Sequence, residues 1–200
     1  MLSSICPLGE RARASRWPVT TGAYVLGSVA GGVALGTLGA GVGALVPTTW
    51  RGSVPVLGLF AALLIVGLLA DLGLLGRALP SWRRQVDEQW LTRYRGWVYG
   101  VGFGVQLGFG VATIVPSATT YAVVVAAMLT GQPSAGAVIG ATFGLVRALP
   151  VFLVARVEAP GQLRALFRGL QRWARPADVL AQVSLALAAL VLMAGAVALI

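Results

Sequence analysis

The chain alternates long apolar runs with short segments that hold most of its charge. This is the pattern of membrane-crossing helices and their connectors, since about 20 helical residues traverse the roughly 30 Å of hydrocarbon. Apolar runs predict spans at about Tyr24 to Val46, Val54 to Gly76, 97 to 131, 134 to 155 and 179 to 200, after a short, basic, polar segment over 1–21 that predicts a cytoplasmic tail. The run from Arg95 to Gly131 is the expected organising element. Gly96, Gly100, Gly104 and Gly108 recur every fourth residue and bare one side of a helix to another backbone. Pro116 lacks an N–H and clashes with the carbonyl of Ala112, so the helix is expected to kink or break there. Gly136, Gly140, Gly144 and Ala148 form a second ridge, the expected partner for that groove, and the glycines of the first span make it a helix that packs tightly and bends.

Two connectors carry their own pattern. Trp82, Val86, Trp90 and Tyr94 stack at four-residue spacing, with Arg83, Arg84, Asp87 and Glu88 on other faces, which predicts an amphipathic helix at the membrane surface. Between 156 and 175, Leu163, Leu166, Phe167, Leu170 and Trp173 share one side and Arg164, Arg168, Arg172 and Arg175 lie away from them, predicting a second, basic interfacial helix attracted to anionic lipid. The final span, with a single glycine, is expected at the periphery.

Charge then sets the threading. The tail and the 77–95 and 156–175 connectors are positive, and placing all three in the cytoplasm lets the 97–131 run cross only once. As a straight helix its 35 residues would measure about 52 Å, so a broken or re-entrant helix fits both facts. The expected fold is therefore an all-α, polytopic bundle in one integral membrane domain over 1–200. It has five spans, with six as the alternative, the N-terminus in the cytoplasm and the C-terminus outside the cell membrane.

Composition narrows the chemistry. The chain is 58% hydrophobic and 10% charged, with a mean hydropathy of +0.85, which excludes an ordinary soluble domain. All 15 basic residues are arginine, and because they concentrate between apolar runs, the net charge of +9 reads as topology and not as a nucleic-acid surface. Cys6 stands alone and there is no histidine, so an internal disulfide, a thiol relay and a multi-cysteine metal site are excluded. No enzyme chemistry, catalytic residue, metal or cofactor is expected.

Leu38–Pro47 aligns without gaps to Leu107–Pro116 with six of ten residues shared, a repeat of a glycine-rich helix ending in Val-Pro. With Ala141 to Leu153 (ATFGLVRALPVFL), it resembles the membrane domain of CcdA/DsbD-type thiol-disulfide electron carriers. That family places a cysteine beside each repeated proline. Thr48 and Ser117 stand there instead, so the resemblance implies a carrier-like fold without the electron-transfer chemistry. Gly27 to Pro47 is similar to TauE/SafE-type anion exporters, which implies transport of an anion.

Arg147 lies about 13 Å inside its span, and Pro150 frees the carbonyl of Val146 nearby, a combination suited to an anionic solute. The equal alternative is an ion pair of Arg147 with Asp71. Gln106 opposite the glycine ladder, and Ser117 and Thr120 after the break, are further solute contacts or, alternatively, interhelical glue and helix caps. Pro47, Pro116 and Pro150, with Gly104, Gly108, Gly140 and Gly144, are the expected hinges and close contacts. The reading is a carrier or exporter for a small anionic or polar solute. The alternative is a non-catalytic membrane subunit or assembly factor. The expected partners are the lipid bilayer and a second copy or other membrane proteins, without nucleic acid.

Overall fold

The computed structural model describes residues 5–13, 15–76, 93–110 and 117–199. The amphipathic connector expected around Trp82 and the break expected at Pro116 lie outside these residues. In order, the elements are α1 (Pro7–Ala12), α2 (Trp17–Ala44), α3 (Thr48–Arg51), α4 (Val54–Asp71), α5 (Gly96–Gly108), α6 (Thr119–Thr130), α7 (Pro133–Ala148), a 3-10 helix (Leu149–Val154) and α8 (Pro160–Val197). The described residues contain no strand. Among them, α2, α4, α7 with its 3-10 extension, and α8 are long and apolar enough to cross a membrane. The described residues are thus those of an all-helical membrane protein.

The organising helix is α2, not the 95–131 run. Lipid offers no hydrophobic force between apolar helices, so association depends on how closely backbones approach. Along α2 they approach closely on more than one side. A Cβ at Gly27 or Gly31 would collide with the backbone of Val101 or Val105 in α5, and one at Gly32 or Gly36 with the backbone of Gly140 or Gly136 in α7. Near the far end, a Cβ at Gly43 would strike Met128 of α6, and one at Gly39 would touch Ala127. The contacts are reciprocal: Gly104 and Gly108 of α5 meet the carbonyls of Tyr24 and Ser28, and Gly140 and Gly144 of α7 meet those of Gly32 and Ser28. The two expected glycine ridges therefore do not fill one another; each fills a groove of α2.

These pairings fix direction. Rising numbers in α5 meet rising numbers in α2, from Gly96 beside Thr20 to Gly108 beside Ser28 and Gly32, so the two run parallel. Helix α6 continues in the same direction past Gly39 and Gly43, whereas α7 runs antiparallel, from Gly136 beside Gly36 to Gly144 beside Ser28. At 100° per residue, the α6 contacts lie roughly 120° around α2 from those of α5. The chain thus changes face between the two short helices. Gly110 ends α5 and Gly131 ends α6 with φ of 62° and 54°, left-handed values that glycine adopts freely.

Helices α4 and α8 form an antiparallel layer on the side of α6, with Leu64, Ala118, Leu185 and Ala189 as its core. Four boundaries differ from expectation. Helix α2 begins at Trp17, because Pro18 suits a first turn and the helix already packs against α5 at Thr20. Helix α4 stops at Asp71, where Gly73 and Gly76 turn left-handed. Helix α7 tightens into the 3-10 helix at Leu149, as Pro150 removes a ladder hydrogen bond. The basic segment and the final span are one continuous helix, α8, running through Pro176. The carbonyl that Pro176 leaves free, on Arg172, lies in a stretch exposed all round over 171–180, where an outside partner can satisfy it.

Alanine tests the packing by sign. In an open helix, Gly→Ala is neutral or stabilising by up to about 1 kcal/mol. Gly41, with nothing near its missing Cβ, should behave so, whereas G104A and G140A drive a methyl into backbone and should cost about 1–3 kcal/mol. Melting in mild detergent reads this as a lowered midpoint for the latter two and an unchanged or raised one for G41A.

Candidate functional site

The most concentrated polar chemistry gathers where α1 closes the first end of the α2–α5 pair, within the segment expected to be a tail. Glu10 is the only acidic residue before Asp71, and it is fully buried. Its carboxylate accepts from Thr20 Oγ1 at 2.7 Å, from Arg13 Nη2 at 2.7 Å and from the Tyr99 hydroxyl. The Arg13 guanidinium also lies over the Tyr99 ring, 5.6 Å from its centroid. Burial works against the Arg13 charge, but the bonds to Glu10 and Tyr99 outweigh it and raise its pKa above the ordinary arginine value. Ile5 and Cys6 are buried in the same end, against a cluster with Tyr24, Tyr99, Phe103, Val151 and Val154. The Cys6 thiol accepts from Gly9 N–H at 3.3 Å and caps α1. This cluster locks residues 5–13 onto three helices.

A second polar point sits at the start of α6. Asp71, the last residue of α4, accepts from the Ala118 N–H at 2.9 and 3.1 Å and from Ser117 Oγ at 2.7 Å. A carboxylate on a free amide at a helix start satisfies that donor and favours the helix dipole together. Gln182 of α8 donates to the Asp71 carbonyl at 3.5 Å, and a cavity of about 140 Å³ is lined by Asp71, Ser117, Asp178, Ala181 and Gln182.

The expected solute contacts do not converge. Arg147 is half-buried with its guanidinium 5.2 Å from the centroid of the Phe143 ring, and it forms no ion pair with Asp71, whose carboxylate is occupied by Ser117 and Ala118. Ser117 serves as part of that cap, and Thr120 is buried with its methyl close to Gly110. Gln106 is half-buried on α5. Pro47 precedes the short α3, and Gly104, Gly108, Gly140 and Gly144 are backbone contacts of α2. Sequence reasoning missed the Glu10 cluster, Ser28, whose hydroxyl donates to the Gly144 carbonyl at 2.7 Å, and Arg51, which donates to the carbonyls of Val46 and Thr130 and ties α2 to α6. A lone carboxylate among arginines, three residues before Arg13, was the signal for the first.

Removing these carboxylates separates buried from exposed. E10A strands three donors and should cost on the order of 3 kcal/mol; D71A removes a cap and should cost about 1 kcal/mol. E158A breaks only an exposed pair with Arg11 and should leave the melting midpoint in detergent within error of the parent.

No family model and no solved structure matches the chain. Curated relatives do. It is 32% identical over 151 residues to the methylamine utilization protein MauF of Paracoccus versutus, covering 75% of this chain and 55% of the relative. It is 32% identical over 153 residues to the protein of that name from Methylophilus methylotrophus, and 31% over 157 residues to that from Paracoccus denitrificans, each covering 75% of this chain. The chain spans about half the length of the curated relatives it matches. These relatives are not CcdA/DsbD-type carriers or TauE/SafE-type exporters, so the resemblances drawn from the Val-Pro repeat and from Gly27–Pro47 are overturned. The reading as a solute carrier falls with them: the chain is similar, over most of its length, to proteins of methylamine utilization.

Proposed function

We propose that this chain serves methylamine utilization as a non-catalytic membrane accessory protein, a subunit or assembly factor that works with other membrane proteins. The observation that carries the reading is the similarity, across 75% of the chain, to proteins named for that process. The use of polar groups supports it. Glu10, Ser28 and Asp71 are each engaged by neighbouring helices, and Thr37, Thr142 and Ser184 return their hydroxyls to their own helix backbone. The first three hold helices together, the last three are spent within their own helices, and both uses leave little for turnover.

In this reading the chain crosses five times, with α5 and α6 together making one crossing, which their shared direction along α2 favours. The basic end, with Arg11, Arg16, Arg95 and the arginines of α8, faces the cytoplasm.

Deleting the gene from its host should abolish growth on methylamine and leave growth on a multicarbon acid intact. Plasmid-borne wild type and C6S should restore growth. Undiminished growth of the deletion strain on methylamine would refute the assignment, and methylamine turnover by the purified chain alone would refute the non-catalytic role. In a C6S background, W50C should react with an impermeant thiol reagent on intact cells and R164C only after permeabilisation.

A further inference from the structure

Two groups of arginines stand apart among the described residues. Arg11, Arg13, Arg51 and Arg147 each hold a specific protein partner: Glu158, Glu10, backbone carbonyls and the Phe143 ring. Arg164, Arg168, Arg172 and Arg175 of α8 are exposed and form no ion pair or hydrogen bond with any described residue. Their spacing puts them within about 80° of arc, a single ridge.

The position of this ridge follows from the length of α8. Its 38 residues measure about 57 Å, against roughly 30 Å of hydrocarbon. The part paired with α4 runs from Gln182, beside the Asp71 carbonyl, to Gly195, beside Leu57. The preceding five turns or so, through the four arginines, project beyond the end of α4. They do not leave the bundle altogether, because Leu163 and Leu166 pack on the cluster that holds Tyr24, Tyr99 and Val157. The ridge therefore descends along the end of the bundle where α2 and α5 begin, at the level of lipid headgroups. About 145° around the helix from it, Trp173 is 72% exposed, and further along α8 Leu180 is exposed on the Trp173 side and Val179 in line with the ridge. A cationic ridge backed by an exposed indole and aliphatic groups fits a surface that is anionic outside and apolar beneath. An aqueous acidic partner would leave Trp173, Val179 and Leu180 in water.

We propose that the arginine ridge of α8 is a binding surface for anionic phospholipid headgroups, holding a collar of phosphatidylglycerol-type lipid around this end of the protein. The inference rests on the membrane embedding of α8 and is independent of the methylamine reading.

The full chain is purified in mild detergent, equilibrated with mixed phosphatidylcholine and phosphatidylglycerol, and its retained lipid measured by mass spectrometry. Wild type should retain phosphatidylglycerol preferentially. The variant R164Q/R168Q/R172Q/R175Q should lose this preference, by about fivefold for each arginine removed. The control R16Q/R93Q/R95Q/R156Q, which removes the same charge from exposed positions elsewhere, should keep most of it. Lysine at the four ridge positions should restore the preference, separating a charge effect from misfolding. Equal loss in ridge and control variants, no preference in wild type, or failure of lysine to rescue would overturn the proposal. So would displacement of the lipid by soluble glycerol phosphate, which assigns the ridge to a free anion, or retention of nucleic acid or an acidic protein in its place.

Discussion

Contact between bare backbones along α2 is what the rest of the bundle depends on. In lipid, a larger side chain gains little from leaving an equally apolar surrounding, so helices are held by dispersion and by weak Cα–H···O contacts that grow with proximity. Gly27 and Gly31 admit α5, Gly32 and Gly36 admit α7, and Gly39 and Gly43 admit α6. One helix with three sets of glycines thus determines the place of the other three. Helices α4 and α8, built of Leu and Ala, add a looser layer, and Gly67 lets α4 close on Ala118 at the start of α6.

Polar groups finish what the glycines begin. Backbone contact positions helices but leaves ends open, and each end has a side chain that closes it. Glu10 joins α1, α2 and α5 at one end, Arg51 joins α2 and α6 at the other, and Asp71 covers the start of α6 from α4. A buried carboxylate is tolerated only when its oxygens are fully engaged, and Glu10 has three donors. Ser28 adds a hydrogen bond between α2 and α7 where Gly144 brings their backbones together. The chemistry invested in structure is what the fold lends to the proposed accessory role.

The membrane class, the glycine ridges and the apolar runs were legible in the sequence because each is a local pattern. Which ridge meets which was not, since small residues every fourth position mark a groove without naming the backbone that fills it. The ridges at 96–108 and 136–148 looked complementary, yet both fit α2, whose glycines overlap in several registers. The cap of α6 was half legible: Ser117 was expected near a helix start, but its partner Asp71 lies 46 residues away on another helix. Glu10 was hidden in a segment whose arginines read as a solvated tail. The change from the amphipathic pattern over 156–175 to the apolar run from 179 suggested two helices where there is one, because the proline between them costs little where the freed carbonyl is exposed. Function was least legible, as the Val-Pro repeat suggested a carrier and the relatives named methylamine utilization instead.

The seating of α6 on α2 distinguishes this arrangement from one in which the central run packs chiefly on α7. A Cβ at Gly39 would lie 3.4 Å from that of Ala127, close to the spacing a disulfide requires. In a C6S background, G39C/A127C in native membranes should form an intramolecular disulfide rapidly under mild oxidant, while G41C/A127C, with position 41 on an open side of α2, should not. Absence of the first cross-link, or equal cross-linking of both pairs, would contradict α2 as the hub.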